Sequence, residues 1–143
     1  MKLHIVTVGQ PKLAYAKLGW DEYLPRLQRI YAVRVTQLAD KYAYDAKKFE
    51  EVTVGTYKVV LEINGEQLSS PELAGFLRNR ELEAREVSFI IGGPEGLPQE
   101  TRDTANHQWS FGKLTLPHDL AMVTLLEALY RASTINAHLP YHK

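Results

Sequence analysis

The sequence predicts a single-domain α/β fold spanning residues 1–143, a parallel sheet with helices on both faces. Three observations carry this. Short β-type runs alternate with helical patterns along the whole chain. The run ending in Phe89-Ile90-Ile91 is continuously apolar, as a strand buried on both faces must be. The 143 residues hold no repeat, low-complexity tract or linker, and they suffice to bury one core.

The elements follow in order. Leu3 to Val8 reads as a strand that stops at Gly9 and Pro11. Leu13 to about Arg29 reads as a helix, with Leu13, Ala16, Trp20, Leu24 and Leu27 near helical spacing and Pro25 as a potential bend. Tyr31 to Leu38 is a strand with Val33 and Val35 on one face, and Asp45 to Glu51 a weaker helix. Tyr57 to Ile63 is a strand, which the pair Asn64-Gly65 is expected to close as a turn. Ser69, Pro71 and Glu72 mark a helix start, with serine as cap, proline in the first turn and glutamate three residues after the cap. That helix runs to about Glu83. A strand over Glu86 to Ile91, a short helix from Pro98 to about Asn106 and a short strand over Gln108 to Phe111 follow.

The final helix, about Asp119 to Asn136, is apolar over most of its circumference, with Leu120, Met122, Val123, Leu125, Leu126, Leu129, Tyr130 and Ile135 spread around it. Such a helix is buried on more than one side. One side is expected to meet the sheet and the other a second copy in a two-fold homodimer, the alternative being a central helix within one subunit.

Composition narrows the function classes. There is no apolar run of about 18 residues, so no membrane span is expected. The segment Met1 to Val8 is too short for a signal peptide and reads as the first strand. No cysteine is present, which excludes disulfides, zinc-thiolate sites and cysteine nucleophiles, and fits a cytoplasmic location. Lys plus Arg and Asp plus Glu are both 17, and this neutrality argues against a free-standing nucleic-acid binder without excluding a local basic face. His138 and His142 are four apart, but Pro140 breaks any helix between them, so no metal pair is read there.

Two segments carry the chemistry. In Ile91-Gly92-Gly93-Pro94-Glu95-Gly96, a strand end runs into glycines whose backbone can approach a ligand closely. Ligands of open α/β sheets bind beyond such strand ends. In Gly112-Lys113-Leu114-Thr115-Leu116-Pro117, apolar side chains alternate with backbone groups able to sandwich a flat ring and satisfy its edge. Neither dinucleotide nor P-loop spacing occurs, and each segment alone would pass for an ordinary connection.

Together with Lys2-Leu3, Val8-Gly9, Trp109-Ser110, His118, Glu127-Ala128-Leu129-Tyr130-Arg131-Ala132 and Pro140-Tyr141-His142, these segments resemble the SPOUT class of methyltransferases. More narrowly, they resemble its small members that methylate N3 of a pseudouridine in 23S rRNA of the large ribosomal subunit. The resemblance spans the whole chain. It implies a C-terminal trefoil knot, S-adenosylmethionine bound in bent form within it, and a homodimer whose partner helps complete the site. Carried over by position, the cofactor site comprises Leu61, Gly92, Gly93, Gly112, Lys113, Leu114, Thr115, Leu116 and Pro117. The family usually ends in an arginine and a further residue, where this chain ends at Lys143; lysine lacks the arginine fork.

The chemistry so implied needs alignment of sulfur, methyl and nitrogen, and an acceptor or electrostatic relief for the N3 proton. The candidates are His118, Arg131, Tyr141 and His142, with Glu95 near the turn. His118 is either base, loop orienter or a helix-start hydrogen bond. Arg131 either meets a phosphate or pairs with Glu127, four residues earlier. Tyr141 either stacks on an extruded base, with His142 and Lys143 on phosphate, or docks the tail on an interface. A SPOUT enzyme acting on tRNA and a non-catalytic nucleotide- or RNA-binding module are the alternatives.

Overall fold

A computed structural model describes all residues, 1–143. The chain runs β1 (Lys2–Val8), α1 (Ala14–Gln28), β2 (Ala32–Leu38), α2 (Ala46–Thr53), β3 (Tyr57–Gln67), α3 (Ser70–Leu82), β4 (Val87–Ile90), α4 (Gln99–Thr104), β5 (His107–Ser110) and α5 (His118–Asn136), with one 3-10 turn at Asp40–Tyr42. The five strands form one sheet in the order β2-β1-β4-β3-β5. Every pairing is parallel, so all strand carboxyl ends lie along one edge.

The strands in the middle of the sheet are apolar because they are covered on both faces. On one face, Leu3, Ile5, Val59, Val87 and Phe89 pack with Trp20 and Leu27 of α1, Leu73 and Leu77 of α3, and Met122, Leu125, Leu126 and Leu129 of α5. On the other, Val6, Val8, Val60 and Ile90 pack with Phe49 of α2 and with Leu97. A polar thread crosses this second layer. His4 is fully buried in β1, its Nε2 lies 2.7 Å from Thr36 Oγ1, and Ser88 beside it donates to Thr56 Oγ1 at 2.8 Å.

Local chemistry sets the ends of several elements. Ser69 caps α3, accepting from the Glu72 N–H while the Glu72 carboxylate accepts from the Ser69 N–H, the reciprocal box read from the sequence. Asp45 caps α2 through the Lys48 N–H. Pro25 falls in the last turns of α1, which ends three residues later.

One expectation changes. Asn64-Gly65 does not end β3, which runs on to Gln67 with a bulge. Leu61 and Glu66 both face Trp109 of β5 across that irregularity. Gly65 lies so tightly against β5 that an added Cβ would sit 2.7 Å from the backbone carbon and oxygen of Gln108. The dipeptide serves a bulge and a close strand approach instead of a hairpin turn. Within its own subunit α5 packs between α1 and α3 and against the sheet. Gly19 of α1 is drawn against Val123, where an added Cβ would be 2.8 Å from Cγ1. Burial all round α5 therefore does not by itself require a second copy.

Candidate active site

Three strand ends and two loops enclose one open cleft of about 190 Å³. Leu61, Glu62 and Ile63 come from β3, Ile91 to Pro94 and Gly96 from the turn after β4, and Trp109 to Gly112 from β5 and its exit. Leu114, Thr115, Leu116, His118 and Ala121 close it from the loop before α5 and from its first turn. The β4 turn is tight. An added Cβ on Gly92 would lie 2.8 Å from the Gly96 carbonyl carbon and 2.9 Å from Leu97 N. Only a residue without a side chain permits that fold-back.

The opposing loop is open. Leu114 is 82% exposed. The N–H groups of Lys113, Leu114, Thr115 and Leu116 donate to nothing within the chain, whereas Gly112 exchanges bonds with Ser110 Oγ at 3.0 and 2.9 Å. A row of free peptide donors beside apolar side chains suits the edge and faces of a flat heterocycle. The residues present therefore fit a nucleoside cofactor.

The start of α5 is stitched to the exit of β1. His118 Nε2 donates to the Val8 carbonyl at 2.8 Å, which leaves Nδ1 as the free acceptor. Asp119 is buried, and one of its oxygens accepts from Lys12 N at 2.8 Å and Leu13 N at 2.6 Å. Those N–H groups precede α1, whose own N-cap residue, Leu13, offers no side-chain acceptor. Burial pushes the Asp119 carboxyl up, but the bonds from Leu13 and Lys12, with the charges of His118 and Lys12, outweigh it and hold it below the usual aspartate value.

The sequence-predicted residues divide into two groups. Leu61, Gly92, Gly93, Gly112, Leu114, Thr115, Leu116 and His118 meet at the cleft. Lys113 and Pro117 lie in the same loop but outside the lining, and Pro117 forms the N-cap of α5. Glu95 is exposed and outside it as well. Arg131, Tyr141 and His142 gather at the far end of α5. Thirteen residues of helix separate Arg131 from His118, about 20 Å. There Glu127 Oε1 accepts from Arg131 Nε at 3.0 Å, Arg131 Nη2 at 2.8 Å and the Tyr141 hydroxyl at 3.1 Å. The Tyr141 ring meets Tyr130 edge-on at 4.7 Å and lies under the Arg131 guanidinium at 4.7 Å. His142 Nδ1 sits 3.4 Å from Arg131 Nη1. Burial, the Tyr23 contact and the Glu127 charge together push the Tyr141 hydroxyl well above the usual tyrosine value. Of the two readings of Arg131, the Glu127 pair is the one formed within a subunit.

Sequence reasoning passed over Glu62, Ile63, Trp109, Phe111 and Ala121. The available signal was position: Trp109 and Phe111 stand at or just beyond the carboxyl end of β5, and Glu62 and Ile63 follow Leu61 where β3 meets its bulge.

A parallel α/β sheet whose cleft is walled by a glycine turn and a donor-rich loop has the shape and donors that fit a nucleoside ligand. A family model described as "Predicted SPOUT methyltransferase" matches residues 1–142, and the chain belongs to that family. Ribosomal RNA large subunit methyltransferase H of Deinococcus deserti is 46% identical over 100% of both chains. The proteins of the same name from Deinococcus radiodurans and Acinetobacter baylyi are 45% and 33% identical, each over 100% of this chain and 99% of theirs. A solved structure of a probable methylase family protein from Haemophilus influenzae shares the fold at TM-score 0.58 and 12% identity, covering 99% of this chain and 70% of that one. A probable methyltransferase from Bordetella pertussis does so at 0.57 and 13%, covering 92% and 95%.

Proposed function

We propose that this methyltransferase transfers a methyl group from S-adenosylmethionine to N3 of a pseudouridine in 23S rRNA of the large ribosomal subunit, in the cytoplasm. One observation carries the reading most directly: Leu114, Thr115 and Leu116, whose N–H groups have no acceptor within the chain, line the same cleft as Gly92 and Gly93. The full-length likeness to large-subunit rRNA methyltransferases supplies the substrate.

When bound, S-adenosylmethionine supplies an already electrophilic methyl group, so the protein's task is mainly positioning. Leu61, Gly92, Gly93 and the loop 112–117 hold the cofactor. Pro117, as N-cap, sets where that loop ends and α5 begins. The bond to the Val8 carbonyl makes Nε2 the donor and leaves Nδ1 as the ring nitrogen available to the proton that must leave the base.

Arg131, Tyr141 and His142 serve the RNA. As docked, they lie about 20 Å along α5 from their own cleft, so they reach a cleft only as part of a second copy. This distance supports a homodimer in which each tail serves the partner's site. Exposed apolar residues on α1 (Tyr15 and Leu18, the latter 73% exposed) and at Leu139 support it too. The C-terminal half is knotted, as the family resemblance implies.

Incubating the protein with methyl-labelled cofactor and ribosomes tests the reading. Label is expected in 23S rRNA at a pseudouridine. Unlabelled rRNA at saturating cofactor, or label on free tRNA alone, refutes it. Sedimentation as a monomer at micromolar concentration refutes the shared site.

A further inference from the structure

We infer that Glu62 recognises the ribose of the bound cofactor, its carboxylate accepting hydrogen bonds from the vicinal hydroxyls. The inference rests on the nucleoside-cofactor reading above.

Glu62 is the only acidic side chain lining the cleft. It follows Leu61 directly and opens the β3 bulge, the stretch between two residues that both face Trp109. Bulges re-aim side chains, and this one leaves the Glu62 side chain 15% exposed at the cleft wall. The carboxylate accepts no hydrogen bond within the chain. Its nearest cation, Arg102 Nη1, is 3.7 Å away, beyond hydrogen-bonding distance. Arg102 is itself turned elsewhere: Nη2 donates to Gln99 Oε1 at 2.6 Å, and its buried Nε has no partner.

Charge and hydrogen-bonding capacity therefore separate at this position. Arg102 balances the Glu62 charge, so the pair has little net attraction for a cation such as a sulfonium or an ammonium. The lone pairs of the carboxylate remain unspent in a largely apolar cleft, and neutral donors would complete them. Two adjacent hydroxyls match the two oxygens of one carboxylate. The same logic places an acidic residue on the ribose in other open α/β sheets, at the carboxyl end of a strand.

Titration calorimetry with S-adenosylhomocysteine and its 2′-deoxy and 3′-deoxy counterparts tests this without any turnover. The wild-type protein is expected to favour the ribo ligand by roughly tenfold or more, the scale of a hydrogen bond to a charged acceptor. In Glu62→Gln that preference should shrink to about twofold, while the deoxy ligands bind much as before. Arg102→Gln, which keeps the acceptor, should retain the preference. If Glu62 only pins α4 through Arg102, Glu62→Gln weakens all three ligands by one factor and leaves the ratio intact, which overturns the inference. A loss confined to S-adenosylmethionine relative to S-adenosylhomocysteine, which lacks only the methyl and with it the sulfonium charge, overturns it in favour of charge recognition. Wild-type protein that binds none of these ligands refutes the cofactor reading itself and not merely the role of Glu62.

Discussion

Gly92 and Gly93 are adjacent, both line the cleft, and read alike in sequence, yet the structure separates them. Alanine at Gly92 places its Cβ 2.8 Å from the Gly96 carbonyl carbon and 2.9 Å from both Leu97 N and Leu97 Cγ. Ordinary carbon contacts begin near 3.5 Å, so the turn must open by about 0.7 Å, and two of the three obstacles are backbone. Overpacking of this kind costs about 1–3 kcal/mol. A 2 kcal/mol loss would lower the melting temperature by roughly 8 °C in a chain of this size. The displaced turn is one wall of the cleft, so cofactor affinity should fall at least tenfold, or about 1.4 kcal/mol. Alanine at Gly93 meets only Ala43 Cβ at 3.4 Å and Val8 Cγ1 at 3.9 Å, both ordinary side-chain contacts. Its stability should stay within about 0.5 kcal/mol of wild type. Thermal unfolding and calorimetry with S-adenosylhomocysteine on both variants measure the contrast. Equal losses in the two, or a Gly92→Ala protein that melts and binds like wild type, would refute the reasoning.

Asp119→Ala removes the one acceptor shared by Lys12 N and Leu13 N. It should cost about 2 kcal/mol in urea unfolding, with Asp119→Asn, which keeps an acceptor, losing less. Gly65→Ala would drive a methyl into the β5 backbone and should destabilise by about 1–3 kcal/mol. Gly75→Ala on the open face of α3 meets nothing and should stabilise by about 0.5–1 kcal/mol; a reversed order of melting temperatures would refute both. Buried His4 has its pKa pushed down to about 4, chiefly by burial, with Arg34 adding and Glu86 opposing. The unfolded chain then binds the extra proton, so this contribution is complete above about pH 6.5 and is lost as pH falls towards 4. It amounts to about 3 kcal/mol over that window. The Asp119 carboxyl, held below its usual value, loses its contribution only at lower pH still. Urea midpoints at pH 7.5 and 5.0 should therefore differ less in His4→Gln than in wild type, and equal differences would refute the assignment.

Much of the fold was legible because its signals are local. The Ser69–Glu72 box, the apolar β4 and the alternation of strands with helices depend on spacing within a few residues. The course of β3 past Asn64-Gly65 was not legible, because an Asn-Gly pair reads the same whether it turns a hairpin or slides flat beneath another strand. Only the distant backbone of Gln108 decides between them. The same holds for Asp119, which reads as an ordinary first-turn acid of α5 but whose partners lie 106 and 107 positions away.

The candidate site was legible in its parts and not in its division. His118 and Arg131 stand on one helix, and a sequence reading assigns both to one centre. Helical rise puts them about 20 Å apart, and Glu127 occupies Arg131 locally. In a docked tail, Arg131 and Tyr141 share the Glu127 carboxylate, and the Tyr141 hydroxyl also lies 3.3 Å from the Tyr23 hydroxyl. A tail that acts on RNA must therefore give up the Tyr141 bonds to Glu127 and Tyr23 on the way to a second copy. Tyr141→Phe separates the two demands. It removes both hydroxyl bonds while keeping the ring over Tyr130 and Arg131, so it should weaken docking by roughly 1 kcal/mol without removing a stacking surface. Methyl transfer to ribosomes that is unchanged or faster in Tyr141→Phe, but lost on deletion of residues 141–143, is the expected pattern. Equal loss in both would mean that the hydroxyl itself is required at the partner's cleft, and that docking through Glu127 is not what the tail must escape.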